Sequence, residues 1–241
     1  MGPLLVFDFD HTITDKNTDV EVQELYSGGK ISDIPEVAKL YSSAGWTEYM
    51  GTVFKLLWEQ GVTKEAILSL MRTLELTPVM HQLITEAHND LHAKIIIISD
   101  SNSVFIDEIL KHRNLIEMVD RVFTNPASWT DKDLLTIQPF HHQEDCKLSS
   151  KNLCKGKIME DYLGSCGEKF SSVAYVGDGR NDFCPALRLK EDDLVFVRKE
   201  YSLEKYIQKM KEDGHHIKAK VNYWTSAQEI LDSMKEKAGG E

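Results

Sequence analysis

Leu4-Leu5-Val6-Phe7-Asp8-Phe9-Asp10-His11-Thr12 sets an apolar run directly against two carboxylates two residues apart. Four apolar residues behind a proline are too few for a helix and carry no 3.6-residue period, so the run reads as a buried strand. Two more stretches share its character: AKIIIISDSN at 93–102 and SSVAYVGDGRND at 171–182. Each is short, rich in β-branched residues and followed by helix-like sequence, VFIDEILKH (104–112) after the first and PALRLK (185–190) after the second. LVFVRK (194–199) reads as a fourth strand. The alternation predicts an α/β fold with a parallel sheet buried on both faces.

In such sheets ligands bind beyond the carboxyl ends of the strands. The polar endings are Asp8 and Asp10, Ser99 and Asp100, and Asp178 and Asp182, so the fold would gather them in one crevice. Any one aspartate could cap a turn or a helix. Three strand ends would not need Asp-x-Asp and Asp-Gly-x-Asn-Asp for that purpose. The Asp-x-Asp spacing leaves both side chains on one face of an extended chain. Converging carboxylates repel unless a hard cation sits among them, and an oxygen-only set suits Mg²⁺, which also takes a phosphate oxygen.

Composition narrows the function class. With 241 residues and 41% hydrophobic content the chain can bury a full core,. Its formal net charge of -11, with no basic stripe, argues against nucleic acid and anionic membranes and for a small ligand or a cation in a local site,. No apolar run approaches membrane-spanning length and no signal peptide is evident, so the expected location is cytoplasmic. Cys146, Cys154, Cys166 and Cys184 are too irregular for a disulfide framework and are expected to be reduced,.

Between the first two strands, WTEYMGTVFKLLWEQG (46–61) spaces Trp46, Tyr49, Met50, Val53, Phe54, Leu57 and Trp58 at helical intervals,. A segment this long is not a loop. Residues 16–90 are expected to form a small helical cap inserted after the first strand, and 1–15 with 91–241 the catalytic core. The aromatic stripe should mostly build the cap's interior, with one or two rings facing the crevice.

Four motifs in order, DFDHT (8–12), IIIISDSN (95–102), a lysine in NLCKGKI (152–158) and VGDGRND (176–182), resemble the haloacid dehalogenase superfamily of aspartyl-phosphate phosphatases. With WTEYMGTVF, VFTNPA and GDGRNDFCP, the chain resembles the subfamily of phosphoethanolamine/phosphocholine phosphatases and pyridoxal phosphate phosphatases. The resemblance implies a Rossmann-like core with that superfamily's fold. It implies Asp8 as nucleophile, Asp10 as acid and base, Ser99 on a phosphoryl oxygen, and Lys155, rather than Lys151 or Lys157, neutralising nucleophile and phosphoryl group. Mg²⁺ would be held by Asp8, the Asp10 backbone carbonyl and Asp178, with Asp182 bound directly or one layer out. Asp19 and Asp100 would meet a positively charged head group, and Asn102 would contact substrate. The implied reaction is Mg²⁺-dependent hydrolysis of a small phosphorylated metabolite. Pyridoxal 5'-phosphate is favoured slightly over phosphoethanolamine or phosphocholine, because WTEYMGTVFK and FIDEIL look nearer to that branch. A phosphotransferase using the same aspartyl phosphate is a more distant alternative. A receiver-like signalling module fits poorly, since such modules lack the Asp10 acid/base and a large cap.

The sequence departs from the subfamily in FHHQEDCKLSSKNLCK (140–155). Members often carry two histidines and two cysteines here, and only His142 and Cys146 fall on that pattern, Ser149 and Ser150 taking the places of the second cysteine and a proline. Two ligands leave a zinc set incomplete. The expectation is therefore no structural zinc, with His141-His142 in an exposed loop.

Overall fold

The computed structural model describes residues 2–40 and 45–239; Tyr41–Ala44, part of the expected insertion, lie outside the described residues. β1 (Leu4–Phe7) is followed by α1 (Thr18–Glu21), α2 (Pro35–Ala38), α3 (Trp46–Glu59), α4 (Lys64–Thr73) and α5 (Met80–Asn89). β2 (Lys94–Asn102), α6 (Ser103–His112), β3 (Arg121–Asn125) and the hairpin of β4 (Ala127–Trp129) and β5 (Leu135–Ile137) come next. α7 (Lys155–Ser165), β6 (Val173–Gly177), α8 (Phe183–Leu187), β7 (Leu194–Arg198), α9 (Ser202–Glu212), β8 (Lys220–Trp224) and α10 (Ala227–Gly239) complete the order.

Six strands pair in the order β3-β2-β1-β6-β7-β8, all parallel. β1 lies at the centre, with Phe7 opposite Ile97 on one side and Val176 on the other. Its four side chains are fully buried, as a strand covered on both faces requires,. Alternate residues serve different layers. Leu5, Phe7, Ile95, Ile97, Ala174 and Val176 join the helices α3 to α6 and α10, while Leu4, Val6, Ile96, Ile98, Tyr175 and Val197 join α7, α8 and α9. The chain leaves β1 toward β2 and β3, then returns to place β6, β7 and β8 on the other side. The order therefore reverses between β1 and β6, where such sheets bind ligands.

The sheet has two strands more than the sequence pattern indicated. β3 and β8 are edge strands with partly exposed residues, so neither shows an unbroken apolar run,.

Within 16–90, Thr14 bridges Leu76 in antiparallel fashion, so the chain departs and returns at one place. α3 packs on β5 and α4 on α6, whereas α5 packs on β2 and α10. The last helix of the expected insertion thus lies against the sheet. Tyr49, Met50, Val53, Phe54 and Leu57 on α3 are buried as the stripe predicts. Trp58 is surface-exposed, its Nε1 donating to the Lys132 carbonyl at 2.8 Å. Among the described residues no helix is long and apolar enough to cross a membrane.

Candidate active site

A crevice of ≈ 600 Å³ opens at the carboxyl ends of β1 and β6, lined by Asp8, Asp10, Asp19, Asp100 and Asp178 together with Trp46, Ser149, Arg180 and Asn181. β1 ends at Phe7, so Asp8 and Asp10 stand on the loop beyond it, while the Phe9 ring between them is buried in the core. That alternation sends two acids to the ligand side and one ring to the interior.

Asp8 is 4% exposed. Its Oδ1 accepts the Phe9 N–H at 2.7 Å and pairs with Lys155 Nζ at 2.7 Å. Lys155 is wholly buried and also donates to Asp182 Oδ1 at 2.7 Å. Asp182 Oδ1 accepts the Tyr175 hydroxyl at 2.6 Å, and its Oδ2 accepts the N–H groups of Asp178 at 3.0 Å and Gly179 at 2.8 Å. Four donors thus hold both Asp182 oxygens. Gly177 makes room for it: a Cβ there would lie 2.5 Å from the Asp182 carboxylate.

Oxygens of Asp8, Asp178 and Asp182 lie within 4.8 Å of one another. Burial and the Asp182 charge raise the Asp8 carboxyl well above its usual range despite Lys155. Burial and Asp182 likewise push Asp178 up to about 8. For Lys155, burial opposes the charged form, yet Asp182 and Asp8 outweigh it and hold the ammonium charged. One ammonium among three buried carboxylates leaves negative charge uncompensated. This oxygen-only donor set fits a hard divalent cation. Because Asp182 is already committed to four donors, Asp8 and Asp178 are the better suited to face it.

Asp10 accepts the Thr18 N–H on Oδ1 at 2.9 Å and the Thr18 hydroxyl on Oδ2 at 3.3 Å. Burial nonetheless pushes its carboxyl up to about 7, the Thr18 bonds acting the other way. Ser99, fully buried where β2 shifts register against β3, accepts the Ser101 N–H at 3.2 Å. Asn125 holds this irregular stretch of β2 through the Asp100 and Ser101 carbonyls at 2.7 and 3.0 Å. Asp100 accepts from Asn181 Nδ2 at 3.0 Å, which ties the C-terminal part of β2 to the loop after β6. Asp19 is buried with Oδ2 on Trp46 Nε1 at 3.0 Å, while its Oδ1 has no hydrogen-bond partner among the described residues. Burial and Asp10 raise its carboxyl well above the ordinary value.

Asn102, like Ser99 and Lys155, is fully buried behind the residues that line the crevice; its Oδ1 accepts from Val104 and Phe105 at 3.1 Å and caps α6, while its Nδ2 has no hydrogen-bond partner among the described residues. One expectation needs correction. His141 is not a free loop residue, because it is half-buried and its Nε2 accepts the Cys154 N–H at 2.9 Å; His142 is exposed. Of the three neighbouring lysines, Lys151 and Lys157 are exposed on Glu144 and Asp161, and Lys155 alone reaches the acids. Sequence reasoning missed Thr18, Tyr175 and Asn181. A tyrosine inside an otherwise apolar strand did carry a signal, since a buried hydroxyl needs a partner.

A family model described as "Putative Phosphatase" matches residues 3–238. The chain belongs to the phosphatases of the haloacid dehalogenase superfamily. Within the family it is 39% identical to a "Probable phosphatase phospho2" of Xenopus tropicalis, over 98% of both chains. It is 36% identical to the human "Pyridoxal phosphate phosphatase PHOSPHO2", again over 98% of each. The human "Phosphoethanolamine/phosphocholine phosphatase" is 32% identical over 94% of this chain and 86% of that one. Among solved structures, a substrate-bound phosphoserine phosphatase superposes with a TM-score of 0.62 at 17% identity, covering 97% of this chain and 98% of the other. That likeness establishes the shared fold.

Proposed function

We propose that this phosphatase hydrolyses pyridoxal 5'-phosphate through an aspartyl-phosphate intermediate on Asp8. The observation that carries the mechanism is the Asp8 carboxylate at the crevice floor, oriented by the Phe9 N–H and paired with the fully buried Lys155. A carboxylate fixed in this way attacks phosphorus in line, and the alkoxide departs as the acyl phosphate forms. Asp10, whose burial already favours the protonated carboxyl, gives its proton to that alkoxide and then takes one from the water that opens the intermediate,. Ser99 and Lys155 stabilise charge on the transferring oxygens. Mg²⁺, held by Asp8, Asp178 and the Asp10 backbone carbonyl, would offset repulsion between the anionic nucleophile and the anionic ester. Asp182, bound by Lys155, Tyr175 and the Asp178 and Gly179 N–H groups, keeps the lysine and the β6 loop in register.

The crevice wall supports the substrate choice. Trp46 lines the crevice beside Asp19, whose unpartnered buried oxygen suits a pyridinium N–H or an ammonium,. The relatives named for pyridoxal phosphate phosphatase activity are also more similar to this chain than the human protein named for phosphoethanolamine and phosphocholine. Residues 16–90 supply Trp46 and Asp19 and would act as the cap; the Thr14–Leu76 bridge and the packing of α5 on the sheet support a cap that ends before residue 76,. Phosphate release measured over pyridoxal 5'-phosphate, phosphoethanolamine and phosphocholine tests the reading. Pyridoxal 5'-phosphate should give the highest kcat/KM, and Trp46→Ala should depress that value more than the one for phosphoethanolamine. A higher kcat/KM for either of the other two would replace the substrate. Transfer of the phosphoryl group to an added alcohol with little free phosphate would make the enzyme a phosphotransferase.

A further inference from the structure

We propose that Cys146, Cys154 and Cys184, with the Ser149 hydroxyl, form a binding site for a thiophilic tetrahedral cation of the zinc class, distinct from the acidic cluster and meeting the crevice at Ser149. The three sulfurs come from three elements: the loop between β5 and α7, the N-cap of α7, and α8. Cys146 and Cys184 Sγ lie 3.4 Å apart, Cys154 and Cys184 Sγ 3.8 Å apart, and all three fall within 4.8 Å. A tetrahedral ion with Zn–S bonds of about 2.3 Å spaces its sulfurs by roughly 3.8 Å. Ser149 Oγ accepts from the Cys146 sulfur at 3.5 Å, which puts an oxygen beside the cluster for the fourth corner. The expectation against zinc counted His142 and Cys146 alone. Cys154, later in the same segment, and Cys184, distant in sequence, change the donor set.

The surroundings favour thiolates. Cys154 occupies the N-terminal end of α7, where the helix dipole stabilises an anion,. Arg188 lies beside Cys184; a Cβ on Gly156 would meet Arg188 Nε at 2.5 Å and Cys184 Sγ at 2.7 Å, so the glycine is what allows α7 and α8 to close on the cluster. A side cavity lined by His142, Cys146, Cys154 and Arg188 gives an ion a route in,. Binding releases the thiol protons to solvent and leaves the ion's charge state unchanged. The site would fasten the crevice-lining segment Lys147–Ser150 to the residue before Lys155 and to the helix that follows Asp182.

Full-length protein loaded with Zn²⁺ and dialysed against metal-free buffer should retain one zinc per chain by elemental analysis. Co²⁺ in its place should give a thiolate-to-metal charge-transfer band and the intense visible bands of tetrahedral cobalt. Cys146→Ser and Cys184→Ser should lose both signals, and Asp178→Asn should keep both. Ser149→Cys, which completes four thiolates without removing a donor, should hold the ion about tenfold tighter or more, some 1.4 kcal/mol. The proposal is overturned if reduced protein retains no zinc and shows only pale octahedral cobalt. Zinc content unchanged in both serine variants, or lost in Asp178→Asn, overturns it equally.

Discussion

Lys155 places one positive charge, with no solvent contact, between Asp8 and Asp182. Removing a single member of a buried ion cluster leaves charge without compensation, so Lys155→Met should destabilise the fold by about 3–5 kcal/mol as well as abolish turnover. Lys151→Met and Lys157→Met, at exposed pairs, should stay within roughly 0.5 kcal/mol,. Urea denaturation of the three variants separates these outcomes, and equal stabilities would contradict the buried charge network. Asp19 is the corresponding test of specificity. With one oxygen on Trp46 and the other unpartnered, Asp19→Asn should lower kcat/KM for esters with a cationic head by ten- to hundredfold, on the order of 1.5–3 kcal/mol, and do much less to a neutral aryl phosphate,. Equal losses on all esters would make Asp19 a scaffold residue. At this scale Asp8, Asp10 and Asp178 were legible because acids that end buried strands are conspicuous. Thr18 was not, since its bonds to Asp10 depend on how the chain turns after β1.

Elements deliver these residues, and their ends are where small changes should matter. Asn102 closes β2 and caps α6 with one side-chain oxygen. Asn102→Ala should cost about 1 kcal/mol, and Asn102→Ser should recover most of it while leaving KM near that of the parent. A large change in KM with unaltered stability would instead return Asn102 to the substrate. Gly177→Ala at the end of β6 should displace the Asp182 carboxylate, costing about 1–3 kcal/mol of stability and most of kcat,. Thermal denaturation and initial rates on the same preparation check both effects. β1, β2 and β6 could be read from sequence because each is buried on both faces and continuously apolar,. The edge strands β3 and β8 and the three-residue strands of the hairpin could not, because half-exposed positions dilute the pattern. The position of α5 was also hidden: its periodicity shows that it buries a face, and only the fold shows that the face meets β2 and α10.

For the whole molecule, the reversal of strand order between β1 and β6 gathers acids from separate chain segments, within a chain whose formal net charge is -11. An anionic ester enters such a crevice only with positive charge in place, and Lys155 is already shared by Asp8 and Asp182. A chelator should therefore silence turnover and Mg²⁺ restore it, whereas Ca²⁺, with longer and looser coordination, should inhibit. Activity that survives chelation in both the parent and Asp178→Asn would remove the cation from the account. The central claim, that Asp8 carries the phosphoryl group, is tested most directly by trapping the intermediate. Protein quenched in acid during turnover and reduced with borohydride converts an aspartyl phosphate to homoserine, which peptide mass spectrometry locates. The account predicts homoserine at position 8 in the parent and none in Asp8→Asn; homoserine at another aspartate, or phosphate release that continues in Asp8→Asn, would contradict it.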